Sequence, residues 1–190
     1  MKTHGFSIAL LASSFIMLFL GFTFRLVNSR SLPPVVLEAG AAEIRAEDRD
    51  SPCGLVCVAL VTRLLGRAHT LESVRTVLSS APDGSNSMKE LIAALHSLGF
   101  WAIGIETSTS HLRQIPRSLL ILHVNDNHFV VGIPVGDAFI VVSDPPKRPR
   151  KIRLTELSGE WRGHALLVCN TKDELHASMN KLGLAATSDD

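Results

Sequence analysis

Cysteine is scarce in this chain: there are three in 190 residues, an odd number, and no two are spaced C-x-x-C. That excludes a disulfide framework and leaves a zinc ribbon without support, so each thiol is either a single nucleophile or a small buried side chain. Charge of one sign is lacking as well. A formal net charge of +1 supplies no electrostatic footprint for nucleic acid. The one dense basic run, Lys147-Arg148-Pro149-Arg150-Lys151, is broken by proline and reads as a solvated loop. No G-x-x-x-x-G-K-[ST] phosphate loop occurs in the chain, so ATP-driven export does not reside in these residues. Internal repeats, low-complexity tracts and ligand spacings that would call for a metal or cofactor are missing too.

What is present is apolar. With 46% hydrophobic residues the chain can bury one sizeable core, and it is too short for two ordinary domains once its first thirty residues are set aside. From Gly5 to Phe24 there is no charged residue, a length that spans the hydrocarbon core of a bilayer as a helix. Residues 1–30 are therefore expected to be an N-terminal membrane anchor or signal segment. A single-pass anchor is preferred, because the apolar region of a secretory signal is usually shorter. Lys2 before the span and Arg25 and Arg30 after it pull orientation both ways, so the side of the soluble domain stays open. Residues 31–44 read as a linker opened by Pro33-Pro34. The globular domain is expected over 45–170, followed at 171–190 by a helix and a polar tail.

Within that domain the hydrophobic period changes once. Leu55, Val58, Ala59, Val61, Thr62 and Leu65 recur at three- and four-residue intervals and predict a core helix that begins at Cys53 and is closed by Gly66. Thr70 caps a second short helix running through Leu78. Ser87 and Glu90 form a capping-box pattern for a third, closed by Gly99. After it come short apolar runs bounded by turn residues, read as strands at 100–105, 119–124, 129–133, 139–143 and 165–169. Tight connections at Asn125-Asp126-Asn127 and Val135-Gly136-Asp137 make the middle three an antiparallel meander. Thr171 and Glu174 predict a last capped helix. The fold class expected is α+β, with N-terminal helices packed on an antiparallel sheet.

Chemistry concentrates at three positions. A thiol is nucleophilic as thiolate, and the unpaired amides and positive dipole end of a helix N-terminus favour that form, which singles out Cys53. Cys57 and Cys169 lie inside apolar periodic segments and read as inert buried thiols. His128 opens a strand directly after a polar turn. Asp144 ends the third strand of the meander, the one after the strand His128 opens, and the spacing through the 134–137 connection sets it opposite His128. Cys53, His128 and Asp144 are thus the expected triad. Gly54 and Asn127 are candidates for lining a substrate groove, with turn formation as the other reading of Asn127.

These residues also carry a resemblance. Cys53-Gly54, Asn127-His128-Phe129-Val130-Val131-Gly132, Asp144-Pro145 and Trp161-Arg162-Gly163 are similar to the motifs of the bacteriocin-processing cysteine peptidases, family thirty-nine, best known as the peptidase domain of peptidase-containing ABC transporters. The likeness covers roughly residues 45 to 170. It implies a papain-like fold, cleavage of leader peptides after small residues such as Gly-Gly, and a transporter on a separate chain as partner. One departure matters: the family places an oxyanion-donating glutamine six residues before the cysteine, where this chain has Glu47. An ionised carboxylate cannot donate, and one oxyanion donor is worth about 10²–10³ in rate.

The function expected is therefore a membrane-anchored cysteine endopeptidase acting on peptides. Its alternative is a catalytically weak module, also tethered to the bilayer through residues 5–24, that captures leader peptides for a separate transporter. Transfer chemistry on an amide would use the same triad.

Overall fold

The computed structural model describes residues 51–67, 69–78, 86–125 and 127–184. The expected anchor at 5–24, the linker at 31–44 and Glu47 lie outside them. Among the described residues no helix is long and apolar enough to cross a membrane.

Helix α1, Cys53–Leu64, is buried almost throughout, as its apolar sequence requires. Gly66, at φ +82°, takes the left-handed conformation that ends it. Helix α2, Leu71–Val77, is capped by Thr70, whose hydroxyl accepts from the Ser73 amide. Helix α3, Met88–Ser97, carries both bonds of the Ser87–Glu90 capping box, which satisfies two otherwise orphaned amides. Past Gly99 the chain enters six strands: β1 (Trp101–Glu106), β2 (Leu119–Val124), β3 (His128–Val135), β4 (Phe139–Ser143), β5 (Arg150–Arg153) and β6 (Trp161–Cys169). Single-turn helices α4 (Thr109–Leu112) and α5 (Leu154–Leu157) interrupt them, and α6 (Lys172–Lys181), capped by Thr171, follows.

All six strands form one antiparallel sheet in the order β1-β6-β2-β3-β4-β5. The expected meander β2-β3-β4 is there and continues into β5. Strand side chains alternate between faces, and the alternation sorts the core. Leu120, Leu122, Val130, Ile140, Val142 and Leu167 pack with Leu112 of α4, Leu157 of α5 and Leu175 of α6 on one face. Ile121, Val131, Leu166 and Val168, buried in the intervening positions, face the layer of α1 and α3. Helix α1 lies against β3 and β2 on that side.

Two expectations are corrected. The basic run is not wholly a loop, since Arg150–Arg153 pairs with β4 as the edge strand β5, with Ile140 opposite Ile152. Only Ile152 in that strand is apolar, and a charged edge with a neighbour on one side needs no hydrophobic period. Strand β6 begins at Trp161, four residues before the expected start at 165, because exposed Arg162 and His164 break the apolar run on which the expectation was built.

Candidate active site

The entry to α1 is prepared by Pro52, which occupies the cap position at φ −52° and offers no side-chain acceptor to the first-turn amides. Ser51 just before it is held by a hydrogen bond from Arg75 of α2, 3.2 Å long. Cys53 is the first residue of the helix and is partly exposed. Its side chain thus sits where the unpaired amides of a helix start concentrate positive potential.

His128 and Asp144 are brought together at the rim of the sheet. His128 Nε2 donates to Asp144 Oδ1 over 2.7 Å, which leaves Nδ1 as the other ring nitrogen. The strand register does not set them directly opposite, as the spacing had suggested. Val131 pairs with Ser143, so Asp144 continues alongside Val130 and reaches His128 along the diagonal of the same face, a separation that long side chains bridge. The hairpin differs from the expected one because Val135 pairs with Phe139, which shortens the connection to Gly136, Asp137 and Ala138.

A third side chain joins the pair. Lys147 Nζ donates to Asp144 Oδ2 over 2.8 Å, while the Lys147 amide closes the turn onto the Asp144 carbonyl. Burial alone would raise the Asp144 carboxyl. The hydrogen bonds from Lys147 and then His128 outweigh it and hold the group below its ordinary value. It is therefore a carboxylate at neutral pH, able to orient an imidazole and to stabilise its protonated form.

Cys57 lies one helical turn below Cys53 and is fully buried. Burial pushes its thiol well above the ordinary value, and electrostatic interaction with Cys53 and Asp144 pushes it further. Both groups therefore act on the same point of the core. The thiol of Cys169 is pushed up to about 12, by burial first and then by the charge of Glu174. Of the three cysteines, only Cys53 combines access with a favourable position.

The remaining expectations divide. Gly54 is buried, and the space its side chain would take is filled by Asn86 and Leu91 of the α3 layer. Its place is a close helix contact. Asn127 is exposed in the turn before His128, and its amide donates to the Asn125 carbonyl. Asn125 holds a left-handed φ of +49°, which an asparagine tolerates better than most side chains.

Beside the dyad, on the sheet face away from α1, lies a cleft of about 440 Å³. Val124, Val130, Val142 and Ile152 line it, together with His128, Asp144 and Lys147. Lys147 is the site residue that the sequence reading missed. Its signal was present: a lysine three residues after the aspartate, across a Pro-Pro turn.

A family model, that of the peptidase C39 family, matches residues 42–173. The lactococcin-G-processing and transport ATP-binding protein LagD of Lactococcus lactis subsp. lactis is 25% identical over 143 residues, 73% of this chain and 20% of that protein. The chain thus spans about a fifth of that relative's length. An uncharacterized protein of Methanothermobacter marburgensis is 30% identical over 122 residues, 64% of this chain and 84% of its own. Among solved structures, a double glycine motif protease from an AMS/PCAT transporter, in complex with the leader peptide, matches at a TM-score of 0.56 and 26% identity. The match covers 62% of this chain and 83% of that one. The N-terminal peptidase C39 like domain of the toxin secretion ATP-binding protein from Vibrio parahaemolyticus matches at 0.51 and 20% identity, over 65% of this chain and all of that one. This last likeness concerns the fold alone.

Proposed function

The chain belongs to the peptidase C39 family, a family of cysteine peptidases, and on that premise we propose that it is a cysteine endopeptidase with Cys53, His128 and Asp144 as its triad. The observation that carries the reading is the 2.7 Å bond between His128 Nε2 and Asp144 Oδ1. It stands at the rim of the sheet whose strand β3 supports the Cys53 helix.

In the proposed reaction Nδ1 of His128 takes the proton of Cys53, and the thiolate attacks the substrate carbonyl to give a tetrahedral oxyanion. The Cys53 amide, at the uncapped helix start, is the proposed donor to that oxyanion. Collapse breaks the peptide C–N bond, and Nδ1 returns its proton to the departing amine. Water, deprotonated by the same nitrogen, then cleaves the thioester and releases the acid and the thiol. Asp144 keeps the Nε2–H tautomer and the ring orientation throughout.

As substrate we propose leader-type peptides cleaved after small residues. What supports this is the family together with the matched protease, described as a double glycine motif protease in complex with the leader peptide. A separate ABC transporter as partner, and a bilayer anchor through residues 5–24, belong to the same proposal. Full-length protein in detergent, given peptides that carry a Gly-Gly site, should release the carboxyl-terminal fragment and lose this activity in Cys53→Ser. Tight binding of the intact peptide with no cleavage would replace the peptidase by a capture module.

A further inference from the structure

Three cations of the basic segment after Asp144 meet a partner. Lys147 reaches Asp144, Arg150 approaches Glu160 at 3.6 Å, and Lys151 lies 4.4 Å above the ring of Phe139. Arg150, Glu160 and Lys147 line the cleft that Asp144 and His128 also line. A run that reads as solvated charge is therefore folded back against the site.

Lys147 has the most specific place in it. The Asp144 carboxylate has two oxygens, and each accepts from one cationic or ionisable partner: Oδ1 from His128 at 2.7 Å and Oδ2 from Lys147 at 2.8 Å. A carboxylate held at one oxygen can rotate about its terminal torsion, which is broad and nearly two-fold. Holding the second oxygen removes that freedom. The residue is tied to Asp144 twice, since the Lys147 backbone amide also bonds the Asp144 carbonyl. We propose that Lys147 is a positioning residue, whose ammonium holds Oδ2 of Asp144 so that Oδ1 is presented to His128 Nε2 in one orientation. This rests on the triad reading above and deepens it.

The charged and titratable groups around Asp144 come from four directions. His128 faces it from β3 and Lys147 from its own turn, Arg150 and Glu160 share the cleft, and on the α1 side the buried Cys57 thiol is raised in part by the Asp144 charge. Lys147 is the foremost of the partners that hold the Asp144 carboxyl down, against the burial that raises it. Removing the ammonium therefore moves the protonation of Asp144, and the loss of oriented His128 that follows it, to higher pH.

The test uses the full chain in detergent, with Lys147→Met and Lys147→Arg, a cleavable Gly-Gly peptide and the pH dependence of Cys53 alkylation by iodoacetamide. Lys147 is 77% exposed, so Lys147→Met should fold with its melting midpoint lowered by no more than the small loss of an exposed ion pair. It should lower kcat about three- to tenfold with KM unchanged, the range for a charge-assisted hydrogen bond discounted for solvent. The acid limb of Cys53 alkylation should move to higher pH, and Lys147→Arg should restore both. Wild-type kcat and an unmoved acid limb in Lys147→Met would overturn the proposal, as would a change confined to the melting midpoint. Alkylation of Cys53 that His128→Ala leaves unchanged would instead overturn the triad reading, and the role of Lys147 with it. The alkylation assay needs no substrate, so the two failures are read separately.

Discussion

His128 Nε2 meets Asp144 Oδ1 at 2.7 Å although the sheet register sets Asp144 beside Val130. The pair is made diagonally, at the end of one strand and the start of another, where the backbone ladder no longer dictates which side chains meet. Asp144→Asn keeps the shape and removes the charge that fixes the Nε2–H tautomer. Turnover of a Gly-Gly peptide should fall by about 10²-fold or more in that variant, with circular dichroism unchanged. Turnover within a factor of two of wild type would remove Asp144 from the mechanism.

The depressed Asp144 carboxyl also predicts a pH dependence of stability. A group whose folded value is lowered contributes stability above its unfolded value, and that contribution is lost as pH falls through the folded one. The loss should occur below the ordinary value of 3.8. Urea midpoints measured across the acid range should therefore fall less steeply for Asp144→Asn than for wild type. Parallel curves would mean that the carboxylate is not held by its partners.

The three thiols should separate on alkylation. Cys57 is buried and its thiol is raised well above the ordinary value, and Cys169 stands at about 12. Mass spectrometry after brief iodoacetamide treatment of the folded protein should locate the label on Cys53 alone, with Cys57 and Cys169 modified after denaturation. Rapid native labelling of Cys57 would contradict its burial.

Gly54 lies where a methyl group would come within 2.9 Å of both Asn86 Oδ1 and Leu91 Cδ2. Leu91 is fully buried and has little room to retreat. Gly54→Ala should therefore cost about 1–3 kcal/mol, seen as a lowered urea midpoint.

Gly163 is more constrained still. Its φ is +97°, and an added Cβ would stand 2.5 Å from the Thr107 carbonyl oxygen, which bounds the bond between the Thr107 amide and the Gly163 carbonyl. Gly163→Ala should cost about 2–4 kcal/mol through strain and overlap together. A melting midpoint equal to wild type would show that the backbone can relax there.

The helices were the most legible part of the fold. Thr70, the Ser87–Glu90 pair and Thr171 announce their caps in the order in which the structure uses them, because capping is a local exchange between a side chain and amides two or three residues on. Strands β2 and β4 were legible for a similar reason, as dense apolar runs between turn residues. Strand β5 was not, since Arg150–Arg153 is held by its pairing with β4 and carries almost no apolar signal of its own. The candidate site divides the same way. His128 and Asp144 could be matched by spacing, yet the spacing argument put them directly opposite, and the real hairpin pairs Val135 with Phe139.

Sequence alone determined what depends on near neighbours: an apolar helix opening at Cys53, the alternation of the strands, and a histidine and an aspartate at strand ends. Tertiary structure decided what depends on distant ones. It turned Lys147 from a solvated cation into the second partner of Asp144, and it filled the space beside Gly54 with α3 packing. It also set the His128 contact on a diagonal that only the assembled sheet defines. Capping and periodicity are short-range and additive along the chain, whereas register and side-chain pairing are settled when separate segments meet.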